Sequence, residues 1–516
     1  MSKFQVKGTL PGINVGAPSN PLRESREQLE QAEALRRERK FDRAEAICTA
    51  LVRQHPDYFG ALHTLGLTYA DKGDHKRALG LLVQAAMLNP RSWMTLTALA
   101  GVYLRLDAKE MAAHTLEQAR LLKPNEPSIL VTLGEIYREE REYEHACDAF
   151  REALDVEPGM EEAAIGLALV STSLGRHTEA AEALDGLLKR GVRSLGVLSA
   201  LANLPASAVR RDLLAELKKV VRRDNEGTAE FERSAAFVRA TALDKAGRHP
   251  EAWEQMIAAN RPIAVAMKTD LAEETKRQQT TLKSLQENSA RAKAHAAGDE
   301  KQPISLFILG PSRSGKTTME ALVGTLDGVK RGYENPSVEN AISRTYQDAG
   351  LLTTFTLLHL PPQFYPQVRE IYVEELAQRA GSARVFTNTH PGHIHDAAQL
   401  AATLPNVRFI FVKRNSDDIA LRTFLRHYAG GNAYAYELKA IREYVTWYYQ
   451  MIDVLAEKLP NIVRVVQYED IVADPTAALR VAAELCGLPM SDKPLPPVGD
   501  DRGCSAPYKQ LMAAAL

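Results

Sequence analysis

The stretch SLFILGPSRSGKTTMEAL, residues Ser305–Leu322, joins an apolar run to a glycine-containing loop and then to a helix-favouring run. Within it, Gly310, Gly315, Lys316 and Thr317 satisfy the phosphate-loop pattern G-x-x-x-x-G-K-[ST]. In such a strand–loop–helix unit, the backbone N–H groups of the loop and the positive end of the helix point at one anion. The stretch therefore predicts a phosphate-binding loop at the start of an α/β domain.

Short runs rich in β-branched and aromatic residues continue this pattern towards the C-terminus. They read ISLFIL, RVFTN, VRFIFV and IVRVVQ, and segments of helical character separate them. Strands that alternate with helices predict a parallel sheet covered by helices. We therefore expect residues 304–516 to form one P-loop-like α/β domain.

The first half of the chain shows a repeat of 34 residues, since prolines occur at positions 56, 90, 124 and 158. Small residues keep the same spacing at Ala44, Ala78, Ala112, Ala146 and Ala180, and at Gly66, Ala100, Gly134 and Ala168. This period is that of tetratricopeptide repeats, in which each unit is a pair of helices. The proline ends the second helix, and the small residues allow paired helices to approach closely.

The repeat predicts an all-α tetratricopeptide solenoid over residues 25–265, with a concave surface. Such a surface is typical of binding to a protein or peptide. The alternative is that the solenoid only supports or dimerises the other domain, which leaves a homo-oligomer open. We expect a flexible N-terminus over residues 1–24. Residues 266–303 are expected to be a linker helix that ends in an exposed joint, because the segment turns to Gly, Asp and Lys before Pro303.

The composition argues against several classes of partner. The charges of the 64 Lys and Arg residues nearly cancel those of the 65 Asp and Glu residues. The chain therefore has no overall electrostatic field that would attract nucleic acid or anionic lipid. The N-terminal residues contain no apolar signal region, and no run of about 18 apolar residues occurs. We expect a cytoplasmic protein that binds neither nucleic acid nor membrane. Four widely separated cysteines predict neither a disulfide framework nor a zinc site: Cys48, Cys147, Cys486 and Cys504.

The residues that follow the predicted strands help to identify the phosphate donor that the loop binds. A kinase or NTPase of this fold needs an apolar strand that ends in an Asp close to Mg²⁺. Here VRFIFV is followed by Lys413 and Arg414, and IVRVVQ runs into Tyr468, Glu469 and Asp470, which lie beyond the strand. Basic residues at the end of a strand suit an anion and not a metal ion.

At this point the chain resembles the sulfotransferase family, in particular the bacterial tetratricopeptide sulfotransferases and the related protein-tyrosine sulfotransferases. The family's 5′-phosphosulfate loop, G-x-P-R-S-G-T-T, aligns without gaps on residues 310–317, GPSRSGKT. The family's 3′-phosphate element resembles FIFVKRNSDDIALRTF, and its late R-Y-E-D-L-V-A-D-P segment resembles VVQYEDIVADP. The resemblance covers roughly Ser305 to Pro489.

The resemblance implies a sulfotransferase that uses 3′-phosphoadenosine 5′-phosphosulfate as its donor and needs no metal ion. The residues that it assigns to the donor are Gly310, Arg313, Ser314, Gly315, Lys316, Thr317 and Thr318 for the 5′-phosphosulfate, and Arg414 and Arg422 for the 3′-phosphate. Three positions depart from the family pattern. Lys316 replaces a Thr, Arg422 replaces a Ser, and Thr389 stands where a D-K-M-P segment has its Lys.

The resemblance also implies which groups carry the chemistry. Arg313 and Lys316 are expected to stabilise charge on the departing phosphate. In tyrosine sulfotransferases the base is a Glu in a G-E-E segment, and Glu334 in RGYENPSVEN falls at the matching position. Glu339 is the reserve candidate, and His390 is a further one.

Two other functions stay open from the residues alone. Lys316 completes a Walker-like loop, which favours a P-loop kinase or NTPase that uses Mg²⁺. Alternatively, the changes at Thr389 and Arg422 suit a non-catalytic adaptor, in which the solenoid binds a partner and the second domain has lost turnover. The leading prediction is a sulfotransferase whose acceptor is a hydroxyl of a protein, peptide or glycan.

Overall fold

The computed structural model of the protein describes residues 21–106, 108–222, 227–287, 302–351, 356–426, 428 and 432–515. Most of the predicted flexible N-terminus and most of the predicted joint before Pro303 lie outside the described residues. Within the described ranges, no helix combines the length and the apolar character that crossing a membrane requires.

Contacts along the chain define two compact units. The first reaches Ile136 and also contains Asp148–Glu157, whereas the second contains Tyr137–Cys147 and the chain from Pro158 onward. The second unit therefore includes the α/β part, the short segment Tyr137–Cys147 and the helices of the repeat region from α9 onward. The domain boundaries at residues 24, 265 and 303 stay predictions.

Fourteen α-helices occupy the described part of the chain before residue 267. They are α1 Pro21–Arg37, α2 Phe41–Gln54, α3 Phe59–Asp71, α4 His75–Leu88, α5 Trp93–Arg105, α6 Lys109–Leu122, α7 Pro127–Glu139, α8 Tyr143–Val156, α9 Glu161–Ser173, α10 His177–Lys189, α11 Leu195–Asn203, α12 Leu213–Leu217, α13 Thr228–Lys245 and α14 His249–Ala266. Successive helices pack in pairs, such as α3 with α4, α5 with α6, and α9 with α10. The predicted all-α repeat region is confirmed.

The repeated residues have the packing roles that their size suggests. Helices α2 and α4 each end two residues before a repeat proline. A Cβ on Gly66 of α3 would lie 2.8 Å from Cγ of Leu82 on α4, and one on Gly134 would lie 2.7 Å from the ring of Phe150. Real Cβ contacts are not this short, so the paired helices pack this closely only because glycine has no side chain.

The C-terminal part contains a five-stranded parallel sheet. Its strands are β1 Ile304–Leu309, β2 Val329–Lys330, β3 Val385–Asn388, β4 Val407–Lys413 and β5 Val463–Gln467. They pair in the order β2-β3-β1-β4-β5, and every pairing is parallel. The predicted α/β fold with a parallel sheet is confirmed, and the two-residue strand β2 adds an edge that the sequence did not indicate.

Helices cover both faces of this sheet. They are α15 Lys268–Glu287, α16 Lys316–Val323, α17 Ser337–Asp348, α18 Tyr365–Ala380, α19 Ala397–Thr403, α20 Ser416–Phe424, α21 Leu438–Lys458, α22 Tyr468–Ala473, α23 Pro475–Cys486 and α24 Lys509–Ala514. Alternate side chains of β1 pack in two different hydrophobic cores. Phe307 and Leu309 pack in the core that includes α21, whereas Leu306 and Ile308 pack with α16 and α23.

The strand order determines where a site can form. Strand β1 lies between β3 and β4. After β1, the chain first forms β3 on one side of β1 and later forms β4 on the other side. Because the strands are parallel, the segments after β1, β3 and β4 leave the same edge of the sheet. Ligands of open parallel sheets bind at such an edge, where the strand order reverses.

Candidate active site

The loop between β1 and α16 depends on two glycines. A Cβ on Gly310 would lie 2.5 Å from the carbonyl oxygen of Val412 in β4, so the loop passes directly over the neighbouring strand. Gly315 has φ 100°, and a Cβ there would lie 2.5 Å from the ring of Tyr468. These close approaches explain locally why the phosphate-loop pattern has glycine at both positions.

The loop exposes some of its side chains and buries others. Ser314 is fully buried, and its Oγ has no hydrogen-bond partner among the described residues. Thr317 is exposed and Thr318 is partly buried. Lys316 is 7 % exposed. The loop thus presents hydroxyl groups beside the N-terminus of α16, where backbone N–H groups have no partner within the helix.

Arg313, Lys316 and Glu334 lie close enough for their charges to interact. Burial lowers the pKa of Lys316, attraction to Glu334 raises it, and repulsion from Arg313 lowers it again, with a net lowering. Arg313 retains solvent-exposed surface and has φ 69°, in the left-handed region. Lys316 therefore interacts electrostatically with each of the other two residues predicted to carry the chemistry.

A buried carboxylate holds the segment that carries Glu334. Glu320 of α16 is fully buried and accepts hydrogen bonds from the backbone N–H of Tyr333, at 2.8 Å, and from the hydroxyl of Thr387 in β3. Asn335 donates to the carbonyl oxygen of Thr387 at 3.1 Å. Glu320 was not predicted from the sequence, although an acid on the otherwise apolar side of a helix that follows a phosphate loop is a usable signal.

Glu334 itself is accessible. Its side chain is 42 % exposed, and its Oε2 lies 3.9 Å from Nη2 of Arg141 in the turn between α7 and α8. The ring of Tyr143, two residues further on, packs edge-on against that of Tyr333 at 4.4 Å between centroids. The segment Tyr137–Cys147 therefore contributes side chains beside the candidate base within the second unit.

Arg414 lies directly against the phosphate loop. It follows β4, is 5 % exposed, and its Nη1 donates to the carbonyl oxygen of Arg313 at 3.1 Å. Its guanidinium also stacks on Tyr468, 4.4 Å from the ring centroid. Arginines that follow two neighbouring strands, β1 and β4, are thus in contact beside the phosphate loop.

Both predicted 3′-phosphate ligands bind one internal carboxylate, Asp501. Arg422 donates to it from Nε at 2.9 Å and also from Nη2, and Arg414 donates to it from Nη2 at 3.1 Å. Arg422 is also 3.3 Å from Asp244 of α13. Burial opposes the charge on Arg422, but the hydrogen bonds to Asp501 outweigh it and raise the pKa. The sequence analysis did not predict this pairing.

The C-terminal segment that carries Asp501 is anchored by the residues that follow it. Asp418 of α20 accepts hydrogen bonds from the backbone N–H groups of Gly503, at 2.8 Å, and Ser505, at 2.9 Å. The hydroxyl of the buried Tyr508 donates to Asp244 at 2.8 Å. Asp501 therefore lies between the guanidinium groups of Arg414 and Arg422.

The two other candidate bases also lie beside the Glu334 segment. The backbone N–H of Thr389 donates to the carbonyl oxygen of Tyr333 at 2.7 Å, which ties the segment after β3 to this loop. His390 Nδ1 lies 3.5 Å from Oε1 of Glu339 in the first turn of α17. Burial is the main cause that lowers the pKa of His390 and raises that of Glu339.

Family comparisons agree with this architecture. Residues 303–492 match the model of the sulfotransferase family, and residues 29–92 and 131–191 match that of the tetratricopeptide repeat. The first match includes the phosphate loop, Glu334, Arg414 and Arg422. The predicted resemblance to sulfotransferases that carry tetratricopeptide repeats is confirmed.

Individual relatives are distant. A stretch of 271 residues is 23 % identical to an uncharacterized protein of Aquifex aeolicus and covers 51 % of this chain and 35 % of that protein. Over 133 residues the chain is 26 % identical to cellulose synthase operon protein C of Pseudomonas fluorescens, covering 26 % of this chain and 10 % of that protein. The chain thus spans only about a third and a tenth of the length of these relatives.

Several solved structures of helical repeat proteins are similar to part of this chain. A tetratricopeptide repeat protein of Parabacteroides merdae is 20 % identical, with a TM-score of 0.35, and covers 46 % of this chain and 92 % of that one. MamA of Desulfovibrio magneticus is 20 % identical, with a TM-score of 0.31, and the match covers 33 % of this chain and 98 % of that one. These values carry no argument about function. Together, the matched segments and the fold identify the chain as a tetratricopeptide-repeat protein with a domain of the sulfotransferase family.

Proposed function

We propose that this protein transfers a sulfuryl group from 3′-phosphoadenosine 5′-phosphosulfate to a hydroxyl group of a protein, peptide or glycan. The observation that carries the proposal is the contact of Arg414 with the phosphate loop, through Nη1 to the carbonyl oxygen of Arg313. This contact places a second cationic cluster, Arg414 with Arg422, beside the phosphate loop of a sulfotransferase-family domain. A donor with phosphates at both ends of its ribose needs two such clusters.

The 5′-phosphosulfate end of the donor fits the phosphate loop. The backbone N–H groups at the start of α16 and the hydroxyls of Thr317 and Thr318 would bind its oxygens. The buried Oγ of Ser314, which lacks a partner in the described structure, is a further donor. Each of these groups is neutral, so charge compensation falls to Arg313 and Lys316.

The 3′-phosphate end fits Arg414 and Arg422. Two guanidinium groups that converge on one anion form short, charge-assisted hydrogen bonds, and Asp501 supplies that anion when no nucleotide is bound. Donor binding then amounts to an exchange of one anion for another, in which the phosphate replaces the carboxylate of Asp501.

The reaction follows from these positions. The acceptor oxygen attacks sulfur in line, a bond from that oxygen to sulfur forms, and the bond from sulfur to the bridging oxygen of the 5′-phosphate breaks. Negative charge builds on the bridging oxygen, where Lys316 and Arg313 stabilise it. Glu334 accepts the hydroxyl proton. The products are a sulfate ester and 3′,5′-adenosine bisphosphate.

The repeat region has a role in presenting the acceptor, and we take the acceptor to be a protein or peptide. Tetratricopeptide arrays bind such ligands on extended surfaces. The turn between α7 and α8 supports this role, because it places Arg141 and Tyr143 beside Glu334 and Tyr333. A chain held by the repeats would therefore meet the base near this turn.

Replacing Asp501 by Asn is expected to strengthen the binding of 3′,5′-adenosine bisphosphate about tenfold, because the loss of one charge-assisted contact changes the binding free energy by about 1.5 kcal/mol. The amide removes the competing charge but keeps the shape. The same variant should melt at a lower temperature without nucleotide, since Arg414 and Arg422 lose their counter-charge. Isothermal titration and thermal denaturation measure the two effects.

Adenosine 5′-monophosphate is the matched ligand control, because it lacks the 3′-phosphate and should bind equally to the variant and the wild type. Asp492→Asn is the matched protein control, since it makes the same change at an exposed position. Weaker binding of the bisphosphate to Asp501→Asn, or an equal gain for the monophosphate, would show that the pair does not hold a 3′-phosphate.

A further inference from the structure

Three potential metal ligands meet beside the Glu334 segment. Glu339 lies in the first turn of α17, and His390 and His393 lie in the turn that follows β3. One ligand atom from each side chain lies within 4.8 Å of the other two. We refer to these three residues as the His-Glu cluster.

The separations suit a small cation with short bonds. Oε1 of Glu339 lies 3.5 Å from Nδ1 of His390 and 3.7 Å from Nε2 of His393. Ligands bound tetrahedrally to zinc at about 2.0–2.1 Å lie roughly 3.4 Å from one another. Small side-chain rotations would therefore bring the cluster to bonding distance.

The hydrogen bonding of the cluster is incomplete. Nδ1 of His390 and Nε2 of His393 are both buried and have no hydrogen-bond partner in the described structure. His393 is 3 % exposed, and its ring packs edge-on against Phe307 at 5.5 Å between centroids. A buried nitrogen without a partner is costly, and native structures rarely keep one without a reason. The two nitrogens and one carboxylate oxygen lie within 4.8 Å of one another.

We propose that Glu339, His390 and His393 bind one divalent transition-metal ion, zinc in particular. Imidazole nitrogens favour zinc over magnesium, which prefers an all-oxygen site. Two histidines and one glutamate form a three-ligand set that leaves a fourth position open. This assignment differs from the metal-free site that the sequence predicted.

The cluster is partly accessible to solvent. The side chains of Glu339 and His390 are 46 % and 42 % exposed, whereas that of His393 is 4 % exposed, so one side of the cluster is closed and the other is accessible. Water fills the open position when no acceptor is present. This step rests on the proposed function: an oxygen of the acceptor replaces that water, and the ion lowers the pKa of the hydroxyl beside Glu334.

The test uses the full-length chain without a polyhistidine tag, stripped with a chelator and titrated with Co²⁺ and with Zn²⁺. We expect one ion per chain, a visible Co²⁺ absorption band typical of a site with fewer than six ligands, and displacement of Co²⁺ by Zn²⁺. His390→Ala and Glu339→Gln should each weaken binding at least about tenfold, since losing even an outer-shell partner of a metal site costs that much.

His114→Ala is the matched control, because His114 is exposed on α6 in the repeat region. His393 is buried, so its Ala variant requires a check of folding by circular dichroism. His390→Ala keeps the test decisive even if His393→Ala unfolds. Absence of binding by the wild type, or equal binding by wild type and His390→Ala, would overturn the proposal and leave the cluster as a metal-free His390–Glu339 proton relay.

The sulfotransferase proposal and the metal-site proposal can be contradicted independently of each other. Titration of the chelated protein with 3′,5′-adenosine bisphosphate reports on the donor site without any metal. A protein that binds the bisphosphate but not Co²⁺ contradicts only the metal site. One that binds Co²⁺ at the cluster but not the bisphosphate contradicts the sulfotransferase proposal and leaves the metal site standing.

Discussion

Glu334→Gln lowers the turnover number for sulfuryl transfer by about 10²–10⁴-fold, the range that a positioned general base contributes. The amide cannot accept the hydroxyl proton, but it matches the carboxylate in size. Glu320 and Asn335 hold the segment through other atoms, so the fold and donor binding should be unchanged. Transfer of radiolabelled sulfuryl from the donor to peptides and glycans that carry hydroxyl groups measures the loss.

The control for this variant is Glu374→Gln, which makes the same change at an exposed position on α18. Equal turnover for Glu334→Gln and the wild type would remove Glu334 from the chemistry. The base would then be Glu339 or His390, which lie beside the same segment.

Lys316→Met is expected to lower the turnover number by about 10²–10³-fold, which is the effect of removing one donor that stabilises developing charge in an enclosed site. Lys316 is 7 % exposed, so its charge is poorly screened, and methionine fills a similar volume without charge. The affinity for 3′,5′-adenosine bisphosphate should change less, because the loop amides and the two site arginines remain. Steady-state transfer rates and titration separate these effects.

Lys439→Met on α21 removes an exposed lysine whose nearest acid, Glu443, is 3.9 Å away, and it should leave the rate unchanged. Lys316→Thr restores the residue that the family pattern has at this position. A sulfotransferase should keep part of its rate with threonine, whereas a kinase that depends on a Walker lysine should lose ATP binding. An unchanged rate for Lys316→Met would contradict the assigned role.

The features that the sequence predicted are those that local patterns determine. The loop from Gly310 to Thr317 is recognisable because its glycines, its preceding strand and its following helix are contiguous. The repeat is recognisable because helix pairs recur every 34 residues with small residues at the crossings. In both cases the interactions that shape the element lie within a few tens of residues.

The features that the sequence did not predict depend on contacts between distant segments. Asp501 meets Arg414 across 87 residues, and no local pattern marks it as their partner. His390 and Glu339 are 51 positions apart and meet only because β3 ends beside α17. Strand β2 has two residues, too few to show a period. Such pairings follow from strand order, which single-sequence patterns do not specify.

The pairing with Asp501 also changes the interpretation of Arg422. From the sequence alone, Arg422 is predicted to be an anion ligand at a position where the family pattern has a serine. In the structure it belongs to an ion-pair network with Asp501 and Asp244, which the C-terminal segment completes. The guanidinium therefore holds the C-terminal segment in place, and under the proposed function it also binds the 3′-phosphate.

The most direct test of the central claim is a pair of titrations of the wild-type protein, one with 3′,5′-adenosine bisphosphate and one with ATP–Mg²⁺. We predict that the bisphosphate binds at one site per chain, with an affinity independent of Mg²⁺, and that ATP–Mg²⁺ binds far more weakly. Tight binding of ATP–Mg²⁺ without binding of the bisphosphate would contradict the account and make this a nucleoside triphosphate site.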